Sequence, residues 1–170
     1  GRLGLKARPR RLGELQATAA VGQGLLMNAY KLAFREHNVP VGQVLLTSED
    51  LDNRARYVHA QGTLDALFRY GAVPIINEND SVAVDELHLS VGDNDRLSAM
   101  VAHLVDAELL VTFTDVEGLY SDNPAEHPEA NLIREVHEVT PEILALAGKA
   151  GSEVGRGGMR TKVMAAESVT

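Results

Sequence analysis

Apolar residues recur at helical spacing in several parts of the chain and predict helices there. The first is expected over residues 12–37, and a second from the capping box Thr47–Asp50 to about residue 70. Thr140 before Pro141 is typical of a helix start, because proline is favoured at the first helical position. The glycine-rich segment GRGGM leads into a last helix. The apolar stripes of the first, middle and last helices are Val21, Leu25, Ala29 and Leu32; Leu97, Met100, Val101, Leu104 and Val105; and Met159, Val163 and Ala166.

Three continuous apolar runs between these helices predict buried strands, over residues 39–47, 72–77 and 108–114. Strands that are apolar throughout and alternate with helices are typical of a mainly parallel sheet covered on both faces. The sequence therefore predicts an α/β fold. Ligands of such sheets bind beyond the carboxyl ends of the strands, and polar residues follow all three predicted strands.

Composition narrows the class of protein. The chain has 170 residues, 45% of them hydrophobic and 24% charged, which predicts one globular domain over 1–170. A net charge of −8 argues against a nucleic-acid partner, and a basic stretch near the start is interpreted as a solvated loop rather than an anion-binding arm. The absence of cysteine excludes disulfides and fits a reducing cytosol. No apolar run is long enough to span a membrane, so no membrane partner is expected.

Two clusters of short polar residues, NEND (77–80) and GDND (92–95), stand where a strand ends and where a helix begins. Asn and Asp favour turns and helix N-caps, so ordinary turn or capping chemistry explains part of the pattern. A cap needs one such residue, whereas GDND supplies three. The segment 86–91 between the clusters alternates and could form a small hairpin arm. Together the clusters offer acceptors for an ammonium group and donors for a carboxylate, which suits an α-amino acid.

Metal binding is a weaker interpretation of these clusters. Their spacing does not match an EF-hand loop, and no Glu stands at the offset that a bidentate calcium ligand requires. The six histidines are scattered without ligand spacing, and each is interpreted as a surface or packing residue. No residue is therefore predicted to bind a metal directly.

Two further segments carry candidate chemistry. In SEVGRGGMRTK (152–162), glycines before a helix allow backbone N–H groups to approach an anion, and Arg156, Arg160 and Lys162 add positive charge. The Walker A spacing is absent, so the segment alone indicates a phosphate site only weakly. Thr114 and Asp115 follow the third predicted strand; alone, such a pair is more often a turn than a nucleotide contact.

The segments PIINENDSVA, VGDNDRLSA, TDVEGLYSDNP and GRGGMRTK, in this order and spacing, resemble the amino-acid kinase family. The resemblance covers essentially the whole chain and implies an α/β/α sandwich around a mainly parallel sheet. The family's opening strand with its lysine, and the strands after the last helix, have no counterpart here. The resemblance therefore implies an incomplete form of the fold, with exposed apolar surface and little activity of its own.

The resemblance also implies an activity, in which ATP and Mg²⁺ phosphorylate the γ-carboxylate of L-glutamate to L-glutamyl 5-phosphate, the first step of proline synthesis. Another acceptor of the family, such as acetylglutamate, aspartate or a nucleoside monophosphate, is an alternative. A non-catalytic fragment that binds an amino acid is another. A cytoplasmic homo-oligomer is typical of the family.

By the same resemblance, each cluster receives a role. Asp95 would orient the active-site lysine, and Lys162 would meet the transferring phosphoryl group. Substrate-binding residues would be Asn77, Asp80, Asp93 and Asn94. Nucleotide-binding residues would be Thr114, Asp115, Arg156, Gly157, Gly158, Met159, Arg160, Thr161 and Lys162.

Overall fold

The computed structural model of the chain describes residues 3–4, 7, 9–82, 94–149 and 158–170. Contacts divide the chain into two compact units, Gly1–Leu89 and Ser90–Thr170, here called unit 1 and unit 2. Each unit is described by itself. The single domain expected over residues 1–170 stays a prediction.

Unit 1 alternates helices and strands in the predicted order. Its elements are α1 (Leu12–Arg35), β1 (Val41–Leu46), α2 (Ser48–Asp52), α3 (Arg54–Arg69) and β2 (Val73–Glu78). The strands β1 and β2 pair in parallel, with Val41 opposite Val73 and Leu46 opposite Glu78. Their carboxyl ends therefore lie at the same edge of the sheet. The first helix and both strands of this unit are confirmed, but the strands are less buried than predicted, with one buried residue each, Leu46 and Glu78.

The predicted second helix is wrong as one continuous element, because Asn53 divides it into α2 and α3. Asn53 is extended, with φ −86° and ψ 117°, and its side-chain oxygen accepts hydrogen bonds from the backbone N–H groups of Ala55 and Arg56. Such a residue begins a new helix rather than continuing the previous one. The predicted capping box is confirmed: the Thr47 hydroxyl accepts from the Asp50 N–H, and the Asp50 carboxylate accepts from the Thr47 N–H.

A glycine ends α3 and turns the chain into β2. Gly71 has φ +67°, a left-handed conformation that glycine adopts without steric cost. Its N–H donates to the carbonyl of Phe68, and the N–H of Ala72 donates to the carbonyl of Leu67, which is the Schellman pattern of a helix end. The turn brings β2 back beside β1. Leu64 of α3 is fully buried beneath this arrangement.

Unit 2 holds α4 (Asn94–Leu104), β3 (Leu119–Tyr120), β4 (Leu132–Ile133), α5 (Pro141–Lys149) and α6 (Met159–Val169). The two short strands form an antiparallel ribbon. The predicted start of α5 is confirmed, because Thr140 accepts hydrogen bonds from the N–H groups of Ile143 and Leu144. The helices α4, α5 and α6 pack together around small and branched apolar side chains, with Leu97, Leu104, Ala147 and Ala165 buried.

The third predicted strand, 108–114, is wrong as a buried strand: the structure assigns it no strand pairing. Alternate side chains of the segment nevertheless lie on different sides. Leu110, Thr112 and Thr114 line a cavity, whereas Leu109, Val111 and Phe113 do not. All of these side chains except Leu110 are exposed, Phe113 to 94%. Alternation is the side-chain geometry of a strand, but a buried strand also needs a neighbour to accept its ladder hydrogen bonds and cover its second face. No described strand does so for this segment.

The described elements confirm the α/β class, with helices around a parallel strand pair. They also bear out the expected exposed apolar surface. Over the described residues, no helix combines the length and the apolar character needed to cross a membrane.

Candidate functional site

The clearest polar cluster of unit 2 joins the first turns of α4 and α6. Lys162 Nζ lies 3.0 Å from Oδ2 and 3.2 Å from Oδ1 of Asp95, so both carboxylate oxygens face the ammonium group. Thr161 adds its hydroxyl, which lies 2.8 Å from the same Oδ2. The side chains of Lys162 and Asp95 are 22% and 13% exposed. An ion pair that is this well shielded is screened far less by water than a surface pair.

The two helices that carry this cluster run parallel. Asp95 meets Lys162 at their amino ends, and Nε2 of His103 hydrogen bonds the carbonyl of Ser168 at their carboxyl ends. Two long-range contacts, one at each end, fix the register of α4 against α6. The amino ends of both helices therefore point to the same side of unit 2.

Helix electrostatics explain why Lys162 needs Asp95. A cation in the first turn of a helix is disfavoured, because the N–H groups there carry partial positive charge. Asp95, in the first turn of α4, is favoured by the same effect and compensates the charge of Lys162. The uncapped N–H groups after Gly158, together with Lys162, make this end of α6 attractive to an anion.

A cavity of about 380 Å³ opens beside this cluster, within unit 2. That volume lies in the range of small-molecule sites. The polar residues of its wall carry both charges and are Thr112, Thr114, Glu117, His137, Glu138, Lys162 and Thr170. Its apolar lining comes from the 108–114 segment, the residues before α5, and the helices α5 and α6: Leu110, Val136, Val139, Ile143, Met159, Val163 and Ala166. The cavity therefore combines an apolar lining with one cationic and two acidic side chains.

Thr114 and Asp115, predicted to contact the nucleotide, have different positions. Thr114 lines the cavity, and its hydroxyl lies 3.4 Å from Oδ1 of Asp115. Asp115 is exposed and is not part of the cavity wall. Close by, the Tyr120 hydroxyl donates to Glu117, and this hydrogen bond to a carboxylate raises the pKa of the Tyr120 phenol.

Five predicted residues of the glycine segment are described, and one of them is Lys162, whose position is given above. Met159 lines the cavity, whereas Arg160 is exposed and does not. Gly158 is the N-cap of α6, and Thr161 joins the Asp95 cluster. Asp93, Arg156 and Gly157 lie outside the described residues, as does the hairpin arm expected over 86–91.

The NEND cluster belongs to unit 1, at the carboxyl end of β2. Asn77 and Glu78 are the last residues of the strand, and Asn79 donates its N–H to the carbonyl of Leu46 on β1. The N–H of Val82 donates to the carbonyl of Asn79, which closes a turn. Asp80, inside the turn, is half-buried. Turn chemistry therefore accounts for part of this cluster, as one of the alternatives had it.

The GDND cluster is described from its third residue onward, in unit 2. Asn94 is the first residue of α4, and Asp95 follows it in the first turn. Asp95 does not act as a simple cap, because its carboxylate binds Lys162 and Thr161. The suggestion that any of the three polar residues might only cap the helix is wrong for Asp95.

Sequence reasoning missed most of the cavity wall, since only Thr114, Met159 and Lys162 were predicted as site residues. Thr112 was not singled out, although its two-residue spacing from Thr114 places both on one side of an extended segment. Val136 and His137 precede α5 in a stretch without periodicity, so no pattern could have marked them. The scattered spacing of the histidines indicates only a surface or packing role for His137.

The described residues contain no group of three or more His, Asp or Glu side chains that could hold a metal ion. Mg²⁺ in phosphate chemistry is often held by one or two carboxylates together with substrate phosphates and water, rather than by a protein cage. The donor set of unit 2 is compatible with a Mg²⁺ that arrives on a nucleotide.

Comparison with known proteins gives a consistent result. The sequence profile of the amino acid kinase family matches residues 2–169. A glutamate 5-kinase of Moorella thermoacetica is 56% identical over 170 residues, which are 100% of this chain and 44% of that protein. One of Herpetosiphon aurantiacus is 55% identical over 99% of this chain and 45% of its own length, and one of Clostridium acetobutylicum is 51% identical over 100% and 63%. The chain thus spans about half the length of the curated relatives it matches.

Proposed function

Since the chain belongs to the amino acid kinase family, we propose that it carries part of the active site of a glutamate 5-kinase. The proposed reaction transfers the γ-phosphoryl group of ATP to the γ-carboxylate of L-glutamate and forms L-glutamyl 5-phosphate, the first step of proline synthesis. The observation that carries the proposal is the shielded pair of Asp95 and Lys162 at the amino ends of α4 and α6. The similar proteins named glutamate 5-kinase support the choice of substrate.

The reaction suits a site without a general base. A glutamate carboxyl has an ordinary pKa of about 4.3, so at neutral pH the acceptor oxygen is already a nucleophile. Phosphoryl transfer then depends on positioning and on positive charge beside the transferred group. No histidine has to act as a base in this chemistry, which agrees with the position of His103 between helix ends, bonded to Ser168.

Lys162 is proposed to stabilise the transferring phosphoryl group. Asp95 holds its ammonium group through both carboxylate oxygens, so the charge has a fixed position before any ligand arrives. Charge that is positioned in advance stabilises a transition state without reorganisation during the reaction. Asp95 is therefore proposed to orient Lys162 rather than to exchange a proton with substrate.

ATP is proposed to occupy the cavity of unit 2. Its apolar wall, which includes Leu110 and Val139, suits a purine, and Lys162 stands in the same wall for the phosphates. Thr114 and Met159 also contact this space. The space beside Gly158 is open, because a Cβ built on it would meet no atom within 4 Å. When bound to ATP, Mg²⁺ would neutralise phosphate charge and help to orient the phosphoryl group.

Glutamate is proposed to bind the two Asn/Asp clusters. Asn94 begins the helix turn that carries Asp95, which places one predicted substrate residue next to the proposed catalytic pair. Asn77 and Asp80 stand at the carboxyl end of a parallel strand, where ligands of α/β sheets bind. The contribution of Asp93 belongs to the same proposal.

The test uses a chimaeric enzyme, in which residues 1–170 replace the matching segment of the Moorella thermoacetica glutamate 5-kinase. Hydroxylamine traps an acyl phosphate as a coloured hydroxamate. The assay contains ATP and Mg²⁺ with glutamate, aspartate or N-acetylglutamate, and is run beside the 170-residue chain and the unmodified Moorella enzyme. We expect hydroxamate from glutamate with the chimaeric enzyme and little from the chain alone.

Other outcomes assign the protein differently. Hydroxamate from aspartate or N-acetylglutamate instead of glutamate would move the chain to another acceptor of the family. A folded chimaeric enzyme that binds glutamate without forming hydroxamate would support a non-catalytic binding role and overturn the kinase proposal. The same sample, analysed by light scattering during gel filtration, tests the proposed homo-oligomer. Fractionation of cells that express it with a tag tests the proposed cytoplasmic location.

A further inference from the structure

Thr161 is the second residue that reaches the carboxylate of Asp95. Its Oγ1 lies 2.8 Å from Asp95 Oδ2 and 2.7 Å from the carbonyl oxygen of Gly158. Both of these atoms are acceptors, whereas a threonine hydroxyl has one proton. The hydroxyl proton can therefore be donated either to the carboxylate or to the helix backbone, and in both cases it is used within the protein.

Asp95 Oδ2 receives two donors from consecutive residues. Lys162 Nζ approaches it at 3.0 Å and the Thr161 hydroxyl at 2.8 Å, while Oδ1 faces Lys162 at 3.2 Å. The carboxylate is flat and can rotate about its bond to Cβ. A second donor on one oxygen restricts that rotation, so the plane of the carboxylate stays turned towards the ammonium group.

We propose that Thr161 is a positioning residue, which holds the Asp95 carboxylate so that Lys162 keeps the location required for phosphoryl transfer. This inference rests on the function proposed above and changes the role expected for Thr161, from a contact of the ATP phosphates to a support of the catalytic pair.

The two roles predict different kinetics. A side chain that binds ATP phosphates contributes to affinity, so its loss raises KM for ATP. A positioning residue acts through Asp95 and Lys162, so its loss lowers kcat while KM for ATP changes little. Small displacements of a catalytic group can cost about a hundredfold in rate. For Thr161→Val, which keeps the branched shape and removes the hydroxyl, we expect kcat to fall by about tenfold or more.

The experiment measures kcat and KM for ATP in the chimaeric enzyme carrying Thr161→Val, Thr161→Ser, Asp95→Asn, and Thr161→Val with Asp95→Asn. Thr161→Ser keeps the hydroxyl and should restore most of kcat. In the Asp95→Asn variant, the added Thr161→Val should lower kcat by a much smaller factor than it does in the otherwise unmodified enzyme, because the carboxylate that Thr161 holds is already altered. Thr63→Val is the matched control: Thr63 is an exposed helical threonine whose hydroxyl bonds only the carbonyl of His59 among the described contacts.

Three results would overturn the proposal. These are a raised KM for ATP with unchanged kcat, an equal loss of kcat in both Asp95 backgrounds, or a Thr161→Ser variant as impaired as Thr161→Val. Crystal structures of the chimaeric enzyme and its Thr161→Val variant give a readout that does not need activity. If the unmodified chimaeric enzyme makes no hydroxamate, the kinase proposal fails, and these structures still decide about Thr161. If Lys162 still bonds both oxygens of Asp95 in the Thr161→Val structure, the positioning role of Thr161 is overturned. If Lys162 and Asp95 are separated there, the positioning role is supported.

Discussion

Lys162 and Asp95 stand 67 residues apart in the chain, and their side chains meet at 3.0 and 3.2 Å where α6 and α4 begin. The contact places a cation at a helix end that otherwise disfavours cations. The arrangement is stable because the negative charge of the Asp95 carboxylate compensates the positive charge of Lys162. An ammonium group held in this way is suited to meet the charge of a second anion.

Removal of this ammonium group should reduce turnover strongly. We expect Lys162→Ala in the chimaeric enzyme to raise the barrier by on the order of 3 kcal/mol, as loss of one preorganised donor does elsewhere, and to lower kcat by roughly a hundredfold. Initial rates of hydroxamate formation measure the effect. Lys31→Ala, at an exposed position of α1, is the control and should leave the rate unchanged. Near-normal turnover of Lys162→Ala would remove Lys162 from the catalytic machinery.

The sequence predicted the helices and strands of unit 1 well, because each has a local signal. Apolar periodicity identified α1, the capping box of Thr47 and Asp50 identified the start of α2, and the apolar runs identified β1 and β2. The break at Asn53 was missed, since one residue can cap a new helix without disturbing the apolar pattern on either side of it.

The segment 108–114 shows where sequence reasoning reaches its limit. Its residues have the composition of a buried strand, but in the structure the segment has no strand partner and all its side chains except Leu110 are exposed. Whether such a segment is paired and covered depends on other strands, which its own residues do not encode. In the same way, the resemblance linked Asp95 to the active-site lysines but assigned Thr161 to the nucleotide, and only the register of α4 against α6 brings Thr161 to the carboxylate.

A substitution at Gly158 should affect the binding of ATP but not the stability of the fold. Its backbone has φ −112° and ψ −175°, which any residue adopts, and a Cβ there would meet no atom within 4 Å. Gly158→Ala should therefore unfold within about 2 °C of the unmodified chimaeric enzyme. A methyl group at the amino end of α6 would, however, lie where a phosphate approaches, so KM for ATP should rise severalfold. An unchanged KM for ATP would place the phosphates elsewhere; a large fall in melting temperature would contradict the open backbone environment.

Truncation of two large apolar residues of unit 2 should affect stability very differently, because one side chain is buried and the other is exposed. Leu104 is 0% exposed, and Leu104→Ala in the 170-residue chain should lower the free energy of unfolding by about 2–5 kcal/mol, because it leaves a cavity. Phe113 is 94% exposed, so Phe113→Ser should change stability by less than about 0.5 kcal/mol and should raise solubility. Urea unfolding and the concentration at which light scattering begins measure the two effects. A strongly destabilised Phe113→Ser chain would mean that this side chain is covered in solution.

Asp50 should make part of the stability of unit 1 dependent on pH. Burial alone would raise the pKa of its carboxyl, but hydrogen bonds from the backbone and hydroxyl of Thr47 and the charge of Arg56 hold it below the ordinary value of 3.8. A folded-state pKa below the unfolded one stabilises the protein above the unfolded pKa, and this stabilisation disappears as pH falls through the folded pKa. Asp50→Ala should therefore cost about 1 kcal/mol in the free energy of unfolding near pH 7, as loss of a cap does. The difference from the unmodified chain should shrink below about pH 3.8.

Asp50→Asn, which cannot titrate, is the control, and its own free energy of unfolding should fall less steeply between pH 5 and pH 2.5. Urea titrations across that range give the free energy of unfolding at each pH. If this free energy changes with pH in parallel for the unmodified chain and Asp50→Asn, the capping carboxylate has no part in acid unfolding.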